Sequence, residues 1–282
     1  MRIVSNPVGN VFQKQLTARG HHPLLVNFMT YLLLSFLVVA LAWPVNWLAF
    51  PAAFWYYAIG AGIAGALGNA FLVKALQMGD LSVLGPVNSY KSIVSIIVGI
   101  FLLGEVPNGW GVLGIILIIW GSYFVLDTTD ERFSWALLKR KEIQFRIWAM
   151  ILTAIEAVLI KKIILYSSPT AAFVCWCWFG ALFAGVLLLL FRQQTALVKE
   201  PVNNSIVFKY ILLIASIGIM QFTTNYVFNH MQVGYALSLF QLSILISVLL
   251  GHRLFGEQHI HQKLFGSAIM IIGSVIIIIM KN

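Results

Sequence analysis

Apolar runs that are long enough to cross a lipid bilayer alternate along the chain with short polar connections. A membrane-spanning helix needs about 20 mostly apolar residues, because each residue advances about 1.5 Å through a hydrocarbon core about 30 Å thick. Nine runs are predicted to span a membrane: Leu24–Ala42, Ala52–Val73, Leu81–Leu103, Gly109–Leu126, Ile147–Leu165, Thr170–Phe191, Tyr210–Val227, Val233–Leu250 and Leu264–Met280. The pattern indicates an α-helical membrane protein.

The second half of the chain repeats the first at an offset of 152 residues. At this offset one Gly-Glu doublet falls on another, and the glycines that follow it fall on glycines. The matched residues are Gly104-Glu105 with Gly256-Glu257, Gly114 with Gly266, and Gly121 with Gly273. Self-similarity at a fixed spacing indicates duplicated structural units.

The repeat also predicts a further span at the polar amino-terminal segment Met1–Leu16. A Lys in this segment is followed by a Pro, and a Lys near the end of the sixth span is also followed by a Pro. The spacing between Lys and Pro differs by one residue in the two places. The matched residues are Lys14 and Pro23 with Lys161 and Pro169. Two copies of a five-helix unit must enter the membrane in opposite orientations, because five is odd. The predicted fold is an all-α membrane protein with ten transmembrane helices as two inverted five-helix repeats, the first helix being short and polar.

A polar insert near the middle of the chain separates the two predicted repeats. Residues 127–146 carry nine charged side chains, which the bilayer interior disfavours. The predicted organisation is a first repeat over residues 1–126 with helices 1–5, a linker over 127–146, and a second repeat over 147–282 with helices 6–10.

The composition agrees with a membrane protein. Hydrophobic residues make up 60% of the chain and charged residues 10%, whereas a soluble domain has about 25% charged residues. The net charge is +9, but the Lys and Arg residues sit mainly in the connections between apolar runs, where membrane insertion places them. Nucleic-acid binders instead cluster basic residues on a soluble face. The predicted partner is the lipid bilayer, with no nucleic acid.

With these features the chain resembles the EamA-type branch of the drug/metabolite transporter superfamily. In that family each half ends in an apolar helix, a Gly-Glu turn and a Gly-rich last helix. The corresponding segments here are Leu81–Leu103, Gly104-Glu105 and Gly109–Leu126, then Val233–Leu250, Gly256-Glu257 and Leu264–Met280. The resemblance covers nearly the whole chain, although family members usually begin with a longer apolar helix.

The resemblance implies a function as well as a fold. It implies a secondary transporter, or permease, that moves a small polar metabolite or drug across the cytoplasmic (inner) membrane by alternating access, as a multi-pass monomer or homodimer without a cofactor. In transporters built from inverted repeats the substrate site lies near the midplane, between the halves. Proton or cation coupling is compatible with this interpretation.

Lys91 and Glu156 are the sharpest candidates for a substrate site, because each lies about ten residues into a predicted span. A Lys at that depth cannot easily reach the interface and must face protein, a partner or a watery cavity. Lys91 is therefore interpreted as a ligand for an anionic or zwitterionic substrate, or as half of a buried ion pair. Glu156 is its competing partner, and it is also a candidate for proton exchange or cation binding.

Further polar residues within the spans are predicted to bind substrate. They are Asn88, Tyr90, Asn69, Gln221, Asn225, Gln241, Asn10 and Lys14. For the amides of the later spans the alternative is that they join helices, and for Tyr90 the alternative is that it faces lipid. Gly104, Glu105, Gly256 and Glu257 are predicted as structural turns that pack at a gate. The three histidines at 252, 259 and 261 are interpreted as solvated loop residues, so no metal site is predicted.

Two other function classes stay open as alternatives. An intramembrane enzyme would need a set of catalytic groups, but the sequence has no HExxH, Gly-x-Ser-x-Gly or phosphate-loop motif, and no catalytic residue is predicted. A non-transporting assembly or sensor protein would bind small molecules without moving them across a membrane.

The orientation of the chain is open as well. Residues 127–146, 192–209 and 252–263 together hold ten Lys or Arg, whereas the alternate connections hold Lys161 and Lys162. The positive-inside rule places the basic set in the cytoplasm, and ten spans then place both termini outside. The family resemblance implies termini inside.

Overall fold

The structure, a computed structural model, consists of helices joined by short turns and loops over the residues that it describes, which are 1–81, 84, 87–88, 90–106, 108–126, 138–191 and 203–279. In chain order the helices are α1 (Arg2–Ala18), α2 (Pro23–Leu37), α3 (Val39–Ala42), α4 (Ala52–Met78), α5 (Tyr90–Leu103), α6 (Gly109–Leu126), α7 (Lys141–Tyr166), α8 (Pro169–Leu190), α9 (Asn204–His230), α10 (Val233–Leu239), α11 (Ser243–Phe255) and α12 (Ile260–Ile279). The first eleven residues of the predicted linker, 127–137, lie outside the described residues.

Five helical segments in the described chain are long and apolar enough to cross a membrane. They are Ala52–Met78, Pro169–Leu190, Asn204–His230, Val233–Phe255 and Ile260–Ile277. Pro23–Leu37, Tyr90–Leu103 and Gly109–Gly121 are shorter apolar helices. The helices α1 and α7 are in neither group; α1 has 17 residues, and α7 carries Arg146, Glu156, Lys161 and Lys162. The number of ten spans therefore stays a prediction.

Three predicted spans are not continuous helices. The run Leu24–Ala42 is divided at Val38, between α2 and α3. A 3₁₀ turn at Phe240–Leu242 divides the ninth predicted span into α10 and α11. In the fourth, Asn88 lies in a turn and α5 begins at Tyr90. Because Phe240 lies 152 residues after Asn88, the last two breaks occupy equivalent places in the two halves.

The two Gly-Glu turns make reciprocal contacts between the halves. The Glu105 carboxylate accepts a hydrogen bond from the backbone N–H of Val233, at 3.1 Å. The Glu257 carboxylate accepts one from the N–H of Leu81, at 2.8 Å. Leu81 and Val233 are also 152 residues apart, so each glutamate binds the first residue of the span that is equivalent to its own. Reciprocal contacts of this kind are those that a pseudo-two-fold axis produces.

Glycines in the αL conformation allow both glutamates to turn back. Gly104 has a φ of 71° and Gly256 a φ of 68°, values that residues with a Cβ rarely adopt. The following N–H groups of Glu105 and Glu257 then donate to the carbonyls of Gly99 and Gly251, each at 3.3 Å. The duplicated Gly-Glu doublet is therefore a helix-ending turn that presents a carboxylate to the opposite half.

These contacts also fix the relative direction of the two spans. Glu105 follows the end of α5 and meets the start of Val233–Phe255, while Glu257 follows the end of that segment and meets Leu81. The start of each span therefore lies beside the end of the other, and the two run antiparallel. Since Val233–Phe255 has 23 residues, the two glutamates lie at opposite ends of a segment about 35 Å long.

This geometry leads to a labelling prediction. Val106, which is 68% exposed, and Gln258, also exposed, follow the two glutamates. In sealed vesicles, an impermeant maleimide should modify only one of Val106→Cys and Gln258→Cys, because the two turns lie at opposite ends of a predicted span. The native Cys175 and Cys177 are buried. Equal modification of both variants from one side would contradict the five-helix count.

The last helices of the two halves, α6 and α12, pack closely through their glycines. A Cβ on Gly114 would lie 2.5 Å from the carbonyl oxygen of Gly273, and a Cβ on Gly121 would lie 2.6 Å from that of Gly266. Small residues let helix backbones approach in this way. Because Gly266 and Gly273 are the repeats of Gly114 and Gly121, this crossing obeys the same two-fold relation.

We expect Gly114→Leu to destabilise the protein by roughly 1–3 kcal/mol, the usual cost of overpacking a close contact. The matched control is Gly109→Leu on the same helix, where a Cβ would meet no atom within 4 Å. Thermal unfolding in detergent should show a lower midpoint for Gly114→Leu alone. Equal midpoints for the two variants would mean that the crossing is not tightly packed.

Candidate functional site

A polar cavity of about 70 Å³ lies among α1, α4, α5, α7, α8, α9 and α10. Its polar lining residues are Arg2, Asn6, Asn10, Asn69, Asn88, Lys91, Arg146, Thr153, Glu156, Trp176, Gln221 and Thr224. The volume is below the range of about 300–1,000 Å³ for drug-sized ligands. In this conformation the cavity suits a small ligand or several water molecules.

The helices α1 and α7 each contribute one face to the cavity. On α1 the lining residues Arg2, Asn6 and Asn10 are four positions apart, which places them on one stripe of the helix. On α7 the lining residues recur at intervals of one to four: Arg146, Ala149, Thr153, Glu156, Ala157 and Ile160. The two helices that are least apolar therefore direct their polar residues inward, as the cost of polar groups in lipid requires.

Equivalent positions of the two halves meet at this cavity. Helix α1 matches α7 at an offset of 147, as Lys14 matches Lys161, and α4 matches α9 at an offset of 152. The matched lining residues are Arg2 with Ala149, Asn6 with Thr153, Asn10 with Ala157, Asn69 with Gln221, and Leu72 with Thr224. The positions are equivalent but their side chains differ, so the two halves present different groups to the cavity.

Glu156 occupies a space that the other half fills differently. A Cβ on Gly65 of α4 would overlap the Glu156 carboxylate. At the equivalent contact, Gly9 of α1 stands in place of Glu156 and Ile217 of α9 in place of Gly65, and a Cβ on Gly9 would lie 2.8 Å from the Ile217 side chain. In one contact the large side chain, Glu156, belongs to the helix equivalent to α1, and in the other the large side chain, Ile217, belongs to the helix equivalent to α4. The glycine that faces it therefore leaves room for a carboxylate in only one of the two contacts.

The Glu156 carboxylate is held in place by an aromatic neighbour. The indole N–H of Trp176 donates to Glu156 Oε1 at 2.6 Å, and the Trp176 ring lies 4.7 Å from that of Tyr31. The Tyr31 hydroxyl in turn accepts a hydrogen bond from Asn69 Nδ2 at 2.7 Å. Asn69, which also lines the cavity, and Glu156 are therefore joined through one network.

Lys91 and Glu156 line the same cavity, and their charges interact. They do not form a direct ion pair, since within the described residues no carboxylate lies at salt-bridge distance from Lys91 and its ammonium makes no hydrogen bond. Both interpretations of Lys91, as a substrate ligand and as a partner of Glu156, stay predictions.

Four of the predicted substrate-binding residues lie outside the cavity lining. Lys14 pairs with Glu257 of the second Gly-Glu turn, at 3.3 Å. Tyr90 faces a separate groove against α6. Asn225 donates to the Pro169 carbonyl and accepts from Gln221, and Gln241 donates to the Leu237 carbonyl, so both make hydrogen bonds within the bundle. The other predicted residues, Lys91, Asn88, Glu156, Asn69, Gln221 and Asn10, line the cavity.

Two arginines of the cavity were not predicted from the sequence as site residues. Arg2 lies near the chain start, and Arg146 lies at the edge of the polar insert, where basic residues are usually cytoplasmic. A signal for Arg146 was nevertheless present, because Arg146, Thr153 and Ile160 recur at intervals of seven residues, on one side of a helix.

Within the part of the chain that the structure describes, no group of three or more His, Cys, Asp or Glu is placed to hold a metal ion.

Comparison with known proteins gives a family and a fold. The family model described as "EamA-like transporter family" matches residues 8–127 and 140–279. A protein crystal structure superposes on this chain with a TM-score of 0.72 at 16% sequence identity, covering 98% of this chain and 96% of its own. At that identity the likeness concerns the fold alone. The search of curated proteins gives no match.

Proposed function

Because the chain belongs to the EamA-like transporter family, we propose that it is a secondary transporter of a small polar metabolite. The family and the apolar helices make it an integral, multi-pass membrane protein. We place it in the cytoplasmic (inner) membrane, with ten spans as two inverted five-helix repeats over residues 1–126 and 147–282.

The observation that carries this proposal is the polar cavity between equivalent positions of the two halves. A transporter with inverted repeats binds substrate at such an interface and exposes it by moving one part against the other. The substrate-binding residues in this proposal are Lys91, Asn88, Asn69, Gln221, Asn10 and Glu156. The helix breaks at Asn88 and Phe240 support it, because discontinuous helices commonly form transporter sites.

Glu156 is the proposed coupling residue. It is a buried carboxylate beside a cavity that also contains Lys91, so gain or loss of a proton there would change the charge that a substrate meets. Membrane transporters use intramembrane acidic residues for this purpose. Coupling to a proton or another cation is thus part of the proposal.

Transport is tested by untargeted metabolite comparison between cells that produce the chain and cells that do not. We expect at least one small polar metabolite to change its ratio of internal to external concentration several-fold. The purified protein should be monodisperse and helical, so that misfolding is controlled. Unchanged metabolite ratios with folded, inserted protein would favour the alternative of a non-transporting assembly or sensor protein.

A further inference from the structure

The lining of the cavity contains three basic side chains and one acidic side chain. Arg2, Lys91 and Arg146 supply three positive charges, and Glu156 supplies one negative charge when ionised. No other carboxylate lines the cavity within the described residues. The lining thus has a net charge of +2, and an uncompensated charge of this size is costly inside a membrane protein.

The three cations also have hydrogen-bond donors available to a ligand. Arg2 uses Nε to donate to the Thr224 hydroxyl, at 3.2 Å, and Arg146 uses Nε to donate to the Leu84 carbonyl, at 2.9 Å. In the described chain the terminal guanidinium nitrogens of both arginines, and the Lys91 ammonium, have no hydrogen-bond partner. A planar guanidinium with its terminal N–H groups available suits the paired oxygens of a carboxylate or phosphate.

Neighbouring groups hold both guanidinium groups in place. The Arg2 guanidinium carbon lies 4.1 Å from the centre of the Phe240 ring, in the 3₁₀ turn between α10 and α11. Arg146 is 6% exposed, and its carbonyl partner belongs to the span that continues into α5. Arg2 therefore contacts the break in one discontinuous span, and Arg146 contacts the other span. Because both arginines also line the cavity, a ligand bound to them would be linked to both spans.

We infer that the transported substrate is a small dianion, bound by Arg2, Lys91 and Arg146. Two negative charges would neutralise the cavity while Glu156 remains ionised. The ligand oxygens belong to a phosphate monoester or to a pair of carboxylates, both of which present paired acceptors to arginine. This inference rests on the proposed function for transport, but the binding step stands on the cavity alone.

Binding can be measured on the purified full chain by titration calorimetry and by the shift in its unfolding temperature, with two matched ligand series. The first is succinate, succinamate and succinamide, which carry two, one and no negative charges on one carbon skeleton. The second is ethyl phosphate, diethyl phosphate and triethyl phosphate at pH 8, where the monoester is mostly dianionic. Each series varies charge, and the comparison of the two distinguishes carboxylate from phosphate.

We expect at least one dianion to bind about tenfold or more tightly than its monoanion, and the neutral member not to bind. Arg2→Gln and Arg146→Gln should each weaken dianion binding by about tenfold or more and affect the monoanion less. Arg19→Gln is the matched control, because Arg19 directly follows α1, lies outside the cavity lining and donates to the Ser205 hydroxyl. The control variant should bind as the unchanged protein does.

Equal affinity across both charge series, or an equal effect of Arg19→Gln and the two cavity variants, would overturn the dianion assignment. Its failure is distinguishable from that of the proposed function. If the metabolite comparison identifies a neutral or cationic substrate, transport stands and the dianion assignment is wrong. If dianions bind with the expected charge dependence but no metabolite moves, the site stands and transport is wrong.

Discussion

Lys91→Gln is expected to lower transport at least about 100-fold, while the amount of protein and its helical content remain unchanged. Its ammonium lines the cavity, deep in a predicted span, and has no hydrogen-bond partner in the described chain. Removing one partner of a buried charge interaction costs about 3–5 kcal/mol, and about 3 kcal/mol corresponds to 100-fold. Initial rates in proteoliposomes, with the substrate identified by metabolite comparison, measure the loss.

The double variant Lys91→Gln, Glu156→Gln separates a substrate role for Lys91 from simple neutralisation of Glu156. If Lys91 binds substrate, removal of the carboxylate supplies no new cation and transport stays low. Recovery of transport in the double variant would show instead that Lys91 only compensates Glu156. The matched control is Lys74→Gln, because Lys74 lies in α4 with its ammonium on Gln77 at an exposed site, and it should transport normally.

Much of the fold was predictable because the two halves of the chain carry the same sequence pattern. The family match and the helical structure confirm the family and the all-α, two-repeat character. The Gly-Glu doublets and the glycines of the last helices were visible in the sequence, and in the structure they form turns and close crossings. Hydropathy could not reveal the break at Phe240–Leu242, because the apolar run Val233–Leu250 is equally compatible with a continuous helix and with an interrupted one. In the first half, the sequence Gly85-Pro86 within the run Leu81–Leu103 disfavours a regular helix.

The cavity was predictable in part. Lys91 and Glu156 stood out because a charge within a long apolar run is unusual. Arg2 and Arg146 did not, because charged residues near the ends of apolar runs are usually assigned to the interface. For Asn225 and Gln241 the sequence left substrate binding and helix joining open, and in the structure their amide groups donate to the carbonyls of Pro169 and Leu237.

A reversible disulfide near the Glu105 turn is expected to stop transport. A Cβ on Gly234, in α10, would lie 3.7 Å from the Cβ of Ile96, in α5, within the range of about 3.5–4.5 Å for a disulfide. The Val233 N–H, next to Gly234, binds Glu105. Ile96→Cys with Gly234→Cys would therefore fix the two broken spans of opposite halves together at this end.

Alternating access requires each end of the molecule to open in turn, so a covalent link between the halves at one end should hold that end closed. We expect oxidised protein in proteoliposomes to transport at the level of protein-free vesicles, and reduction with dithiothreitol to restore most of the activity. Each single-cysteine variant is the control and should be insensitive to oxidation. Undiminished transport by fully disulfide-bonded protein would mean that α5 and α10 do not separate during the cycle, and that the substrate reaches the cavity by another route.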